Sequence, residues 1–209
     1  MSVGNPLLVR EFDEAIDLLE AALGKCPEAL WEASLWKVER TEPGMWPGND
    51  QPEPGRTDES IQVFSALWKV AYHCLFYLDW YVTIEMMATP IAPEGSFATP
   101  EFIRGGVEED PFNENWTLKL PNHVYRRELL LQYLDYGRAR ARRVISSLTD
   151  DDLAKTCGPK HPHAGKTLEQ LLQINLAHLR EHGGQIRRFL ATSQRAYHSG
   201  RLARARGKH

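Results

Sequence analysis

Hydrophobic residues recur at the spacing of an α-helix in four segments of this chain, and no segment shows the alternation typical of a β-strand. These segments predict long helices over residues 6–23, 57–87, 122–148 and 167–192, and a short helical piece is expected over residues 27–36. Gly24 predicts the end of the first helix, and Thr167 with Gln170 forms a capping-box pattern that predicts the start of the last. We therefore predict an all-α protein, a four-helix bundle with long loops and a crossover connection.

Polar residues are distributed differently on the second and third predicted helices. The second is apolar on nearly all sides, which is typical of a helix enclosed by other helices or by a second subunit. The third carries an arginine-rich side that we expect to be exposed, formed by Arg138, Arg140, Arg142 and Arg143.

Two stretches rich in proline and glycine separate the helices, at residues 41–55 and 89–120. The second is long for a connection within a compact domain and is typical of a lid or binding loop. Trp46 and Trp116 lie in these stretches and are candidates for lining the mouth of a pocket.

Composition places further bounds on the protein. A chain of 209 residues fits one domain, and a net charge of −3 gives no general footprint for nucleic acid. The three cysteines form no CxxC motif, and we find neither a signal peptide nor a membrane span. These features predict a cytoplasmic protein with no membrane partner.

The C-terminal segment differs from the rest of the chain in charge. Residues 195–209 contain five basic residues and no acidic one. We divide the chain into a bundle at residues 1–194 and a basic tail at 195–209, and we favour a solvated, frayed tail over a nucleic-acid or membrane arm.

Three histidines are the candidate functional residues. His178 and His182 lie one turn apart on the apolar face of the last helix, together with Asn175 and Gln185, and His73 lies in the middle of the second helix. Buried imidazoles need partners, and a divalent metal ion can be the partner of all three. The residues alone leave a second interpretation open, in which core histidines hydrogen-bond to one another or to Tyr72 and Tyr77.

Two sequence elements extend this pattern to a known family. The segments AYHCLFYLDWYV (71–82) and LAHLREHGGQIRRFL (176–190) resemble the DinB-like family in the order and spacing of their histidines, and the resemblance extends over about residues 6–192. It implies an up-up-down-down four-helix bundle, often a homodimer. It also implies a divalent metal, with zinc preferred and nickel or iron as alternatives, bound by His73, His178 and His182.

Relatives in that family include bacillithiol S-transferases and mycothiol-dependent maleylpyruvate isomerases. The resemblance thus implies a metal-dependent transferase that joins a low-molecular-weight thiol to a small electrophile. Arg104, Arg126 and Arg127 are candidates for binding the carboxylates of such a thiol. The alternatives are a non-enzymatic, stress-linked metal-binding or dimeric scaffold, and a metal-assisted hydrolase.

Other features concern the surroundings of the histidines. Asp79 and Glu181 are the nearest carboxylates in sequence, and we expect Glu181 to face solvent. Cys74 should be a buried structural thiol, and His161 and His163 should lie in a surface loop. Gly183 and Gly184 are costly inside a helix and predict a close approach of another backbone.

Overall fold

The computed structural model of the protein describes residues 5–36, 65–82, 124–158 and 163–206, with side chains described as far as residue 194 except that of Trp80. Its helices are α1 (Pro6–Gly24), α2 (Leu67–Tyr81), α3 (Arg127–Ser147), α4 (Asp150–Ala154) and α5 (Leu168–Arg206), with a 3-10 helix at Glu28–Leu30. Within these ranges there is no strand, and the predicted all-α fold is confirmed.

The predicted limits are most accurate where local signals mark a helix end. α1 begins at Pro6 behind Asn5, whose Oδ1 accepts a hydrogen bond from the Leu8 amide at 3.1 Å. The capping box of α5 is present: the Thr167 amide donates to Gln170 Oε1 at 3.0 Å, and the Gln170 amide donates to Thr167 Oγ1 at 3.2 Å. The residues predicted to line the inner face of α1 are all buried: Leu8, Phe12, Ala15, Ile16, Leu19 and Leu23.

α2 begins at Leu67 and not near Thr57, because a tertiary contact precedes it. Ala66 forms an isolated bridge with Ser34. The amides of Leu67 and Trp68 donate to the carbonyls of Ala33 and Trp31 at 3.0 and 3.1 Å. The segment after α1 thus satisfies the first amides of α2. Residues 57–64, 83–87 and 89–120, with Trp46 and Trp116, lie outside the described residues.

Two other helix limits differ from the predictions. α3 begins at Arg127 and not at Asn122. α5 continues to Arg206 and does not end near Thr192. The short helix α4 was not predicted, although Thr149 and Asp152 form a complete capping box at its start. The division of the chain at residue 194 stays a prediction.

The long helices form a ring in which α1 and α2 each pack against both α3 and α5. α2 and α3 run in the same direction, since Tyr72 stacks near Tyr125 with ring centroids 4.7 Å apart, and further along both helices Asp79 contacts Arg140. α5 runs opposite to α2, because the histidines of α5 face His73 while Tyr81 bonds His163, which precedes α5.

The directions of α1 and α3 complete the topology. These helices are antiparallel, since Asp13 binds Arg142 at one end and Glu28 binds Arg127 beyond the other. The order is therefore up-down-down-up, and the up-up-down-down order implied by the resemblance is wrong. Because α2 and α3 are parallel, the end of α2 and the start of α3 lie at opposite ends of the bundle, as the predicted crossover connection requires.

A buried ion pair joins α2 to α3. Asp79, 1% exposed, lies 3.2 Å from Nε of Arg140, which is 8% exposed, and accepts a hydrogen bond from the Tyr133 hydroxyl at 3.1 Å. Burial raises the pKa of Asp79, and the Arg140 charge and the Tyr133 hydrogen bond partly offset that effect. Arg140 is thus not on an exposed side of α3 as predicted.

The arginine-rich side of α3 also packs against acidic residues of α1. Arg138 binds Asp17 and Glu20, and Arg142 binds Asp13 at 2.7 Å. The sequence could not show this, because the partners lie more than a hundred residues away in the chain.

Replacing Arg140 by methionine should strongly destabilise the fold, because it leaves the Asp79 carboxylate buried without its cation. We expect the free energy of unfolding, measured in urea, to fall by about 3–5 kcal/mol. The same change at exposed Arg143 is the control and should cost under about 1 kcal/mol. Equal losses in the two variants would contradict a role for the buried ion pair.

No backbone among the described residues lies close to the glycine pair of α5, Gly183 and Gly184. A Cβ built on Gly183 or Gly184 meets no atom within 4 Å, whereas one on Gly137 of α3 lies 3.0 Å from Leu78 Cδ2. The close approach expected at Gly183 and Gly184 is therefore wrong, and Gly137 instead brings α3 near α2.

Alanine at Gly184 should stabilise the protein, because it removes backbone freedom from the unfolded chain without creating a clash. We expect a gain of about 1 kcal/mol in the free energy of unfolding. Gly137→Ala provides the comparison and should show no such gain, since Leu78 must move. A loss of stability in Gly184→Ala would show that this position does need glycine.

Candidate metal centre

The three predicted histidines meet between α2 and α5. Nε2 of His178 lies 3.0 Å from Nε2 of His73. The ring centroid of His182 lies 4.5 Å from that of His178 and 5.2 Å from that of His73. One nitrogen from each ring lies within 4.8 Å of the other two, and all three residues are half-buried.

The helix geometry explains this convergence. His178 and His182 leave α5 from nearly the same side because residues four apart are neighbours on a helix surface. The antiparallel packing of α2 places His73 level with both. Tyr77, one turn after His73, sets its ring 4.7 Å from the ring of His73 and 4.9 Å from that of His178.

Gln185 determines the tautomer of His182. Nδ1 of His182 lies 2.7 Å from Oε1 of Gln185, and Nε2 of Gln185 donates to Glu181 Oε1 at 3.4 Å. Since the NH₂ group of Gln185 points to Glu181, the carboxamide oxygen of Gln185 faces the imidazole and accepts a hydrogen bond from Nδ1–H. Nε2 of His182 is then the nitrogen with a free lone pair for a metal.

Burial keeps the other two imidazoles neutral. Desolvation, followed by the nearby His182, lowers the pKa of His178 from 6.5 to about 4. Desolvation also lowers the pKa of His73 well below its ordinary value, with smaller contributions from His178, His182 and Lys69. Neutral imidazole is the form that binds metals.

The donors fit a divalent transition metal. Tetrahedral zinc–nitrogen bonds of about 2.0–2.1 Å separate ligand nitrogens by about 3.3 Å. The His73–His178 separation of 3.0 Å is near that value, and the nitrogen of His182, within 4.8 Å of the other two, must approach them more closely to complete the site. This is the one group of metal-type ligands among the described residues, and it contains no carboxylate. Imidazole donors suit zinc, nickel and iron better than magnesium or calcium.

The interpretation as core histidines also has support. The short His73–His178 contact is the hydrogen bond between histidines that this alternative predicts. It does not account for His182, whose Nδ1 is bound by Gln185 and whose ring completes the group.

The remaining candidates lie apart from the triad. Asp79 is committed to Arg140. Glu181 is exposed as predicted and contacts Gln185. Cys74 is a buried thiol, as predicted, and burial raises its pKa far above the ordinary value.

The arginines considered for binding a thiol's carboxylates receive little support from the structure. Arg127 binds Glu28 at 2.9 Å and lies over the Trp31 ring. Arg126 is exposed at the start of α3. Arg104 and His161 lie outside the described residues.

His163 lies in a turn between α4 and α5, as the predicted loop requires, but it is half-buried there. Its Nε2 lies 2.8 Å from the Tyr81 hydroxyl, and neighbouring Cys157 is buried. His73, Tyr77 and Tyr81 are spaced four residues apart, so they form one stripe along α2 from the triad towards His163. That spacing was the sequence signal for Tyr81.

A family model described as the DinB superfamily matches residues 11–186. Searches of curated proteins and of solved structures gave no match. None of the described helices is both long and apolar enough to cross a membrane.

Acid should destabilise the metal-free protein through His178. In the unfolded chain His178 is protonated below its ordinary pKa of 6.5, whereas in the folded protein it is protonated only below about pH 4. The free energy of unfolding, measured in a chelator, should therefore fall between these pH values, by about 3 kcal/mol from this group. His178→Gln removes the titration and is the control. Identical pH profiles for the two proteins would contradict this origin.

Proposed function

The chain belongs to the DinB superfamily, and on this premise we propose that it is a metal-dependent transferase that uses a low-molecular-weight thiol. His73, His178 and His182 bind the divalent metal, for which we propose zinc, with nickel and iron as alternatives. The observation that carries the proposal is the convergence of one nitrogen from each of the three histidines within 4.8 Å.

The protein's own residues supply binding, orientation and shielding. Three uncharged ligands leave the charge of a bound divalent ion undiminished, so that it lowers the pKa of a thiol or water at an open position. Gln185 holds His182 with Nε2 available, and the Tyr77 ring covers His73 and His178 on one side. Burial lowers the pKa of His178, so at neutral pH its imidazole is unprotonated and able to bind a metal.

The carboxylates favour thiol transfer over hydrolysis. A metal-assisted hydrolase needs a base within one water of the metal. Among the residues described, Asp79 is held by Arg140 on the side of α2 that faces α3, and Glu181 is exposed beside Gln185. A thiol that loses its proton to solvent needs no such base.

The proposal also covers the location, the oligomeric state and the partners of the protein. We propose a cytoplasmic homodimer with no nucleic-acid partner, and the exposed Leu7 and Leu18 on α1 are apolar residues available to a second subunit. A non-enzymatic metal-binding scaffold is the rival function, and it predicts metal without turnover.

The metal site can be tested by elemental analysis of tag-free protein purified beside His73→Ala, His178→Ala and His182→Ala. We expect about one equivalent of zinc, nickel or iron in the wild type and its loss in each variant, since two ligands hold a metal weakly. His163→Ala, which removes a half-buried histidine outside the triad, is the control and should keep the metal. A wild type that binds no added zinc would rule out the proposed site.

The reaction can be tested with glutathione, bacillithiol or mycothiol and the electrophile monochlorobimane. A carbon–sulfur bond forms, chloride leaves and the thiol proton passes to solvent. Lowering the thiol pKa from about 8.5 to about 7 raises the thiolate fraction at pH 7 about 16-fold, and the lower nucleophilicity of the less basic thiolate offsets about 5-fold of that gain. Zinc-loaded protein should therefore accelerate the reaction about threefold or more, since holding thiol and electrophile together adds to this factor. Metal binding without acceleration by any of the thiols would favour the scaffold.

A further inference from the structure

Asn175 is a fully buried polar residue on the face of α5 that carries the two histidines. Its exposure is 0%, and it lies one turn before His178. Both polar atoms of its side chain are without a hydrogen-bond partner in the described part of the chain. Nδ1 of His178 is also buried and likewise has none.

This arrangement is costly for the fold alone. A buried polar group without a hydrogen-bond partner destabilises a protein, whereas leucine at the same place would have no such penalty. The residue therefore requires an explanation beyond packing, and one turn away the imidazole of His178 has a buried nitrogen that likewise lacks a partner.

The direction of the side chains brings these groups towards each other. Residues three apart on a helix are neighbours, with Cβ atoms about 5–6 Å apart. A long helical side chain leans towards the N-terminal end, so the His178 ring leans towards the turn of Asn175. The two groups form no direct hydrogen bond in the structure, so the carboxamide oxygen of Asn175 can accept the hydrogen bond of His178 Nδ1–H through one bridging water.

The other histidine of α5, His182, already has a carboxamide hydrogen-bonded to its Nδ1. Gln185 lies three residues after His182, and its carboxamide oxygen accepts from Nδ1 at 2.7 Å. Asn175 lies three residues before His178. The order along α5 is therefore carboxamide, histidine, histidine, carboxamide, and each histidine has a carboxamide one turn away on its outer side.

We infer that Asn175 is a positioning residue for His178: its Oδ1 accepts the hydrogen bond of Nδ1–H through one bridging water and thereby directs the Nε2 lone pair to the metal. The inference rests on the proposed metal site and adds a residue that acts on it without touching the metal. It assigns to α5 a pair of amides, Asn175 and Gln185, that set the tautomers of both its ligands.

The test compares Asn175→Leu and Asn175→Asp with the wild type. Zinc affinity is measured by competition with a chromophoric chelator, and the free energy of unfolding is measured without metal. Asn175→Leu should weaken zinc binding about 10–100-fold, the usual effect of losing a partner of a metal-bound histidine. Its metal-free form should be at least as stable as the wild type, which a purely structural role would not produce.

Asn175→Asp is the rescue variant, because its carboxylate can accept the same hydrogen bond. Its zinc affinity should therefore lie in the wild-type range and well above that of Asn175→Leu. Nitrogen-15 NMR of the zinc-bound wild type should show His178 protonated at Nδ1. The volume-conserving change Leu176→Met, at a buried neighbour pointing elsewhere, should leave zinc affinity unchanged.

Each outcome bears on one proposal or both. Wild-type affinity in Asn175→Leu, or His178 protonated at Nε2 in the zinc-bound wild type, overturns the role of Asn175 and leaves the metal site intact. A wild type that binds no zinc overturns both and is recognised without any variant. If Asn175→Leu does not fold, Asn175→Ala replaces it with the same expected loss of affinity.

Discussion

His73 reaches the two histidines of α5 only because α2 lies antiparallel to α5 and is held at one rotation about its own axis. His73 and Asp79 are six residues apart, so their side chains leave the helix about 120° from each other. Asp79 points to α3, where Arg140 and Tyr133 hold it, and this orientation turns His73 towards α5. A rotation of α2 that separated the ion pair would also carry His73 away from the other histidines.

The two polar sites of α2 impose different demands on the fold. The Asp79–Arg140 pair is almost fully buried, and the desolvation of its charges leaves little net stabilisation. Its contribution is to penalise any other arrangement of α2 and α3, since either charge left alone in the core would be severely destabilising. Burial lowers the pKa of His73 and His178, so the packed helices α2 and α5 can accommodate both imidazoles in the neutral form without ion pairs.

The proposed metal site depends on this orientation of α2 and on the carboxamides of α5. Imidazole can present either nitrogen, and a triad of freely rotating rings would bind a metal weakly. Gln185 removes that freedom at His182 through a hydrogen bond present in the structure, and we assign the same task to Asn175 at His178. The Tyr77 ring lies against the rings of His73 and His178 and would shield one side of a metal bound there.

The sequence by itself determined the helices, their inner faces and the three site histidines, because helical periodicity and caps are local properties. It also placed Asn175 and Gln185 beside the histidines of α5. Only the tertiary structure decided the up-down-down-up order, the start of α2 at Leu67 and the burial of Arg140. Each of these depends on a partner distant in the chain: Trp31 and Ala33 for the first turn of α2, and Asp79 for Arg140. Such pairings are set by which helices pack together, and no local pattern of residues carries that information.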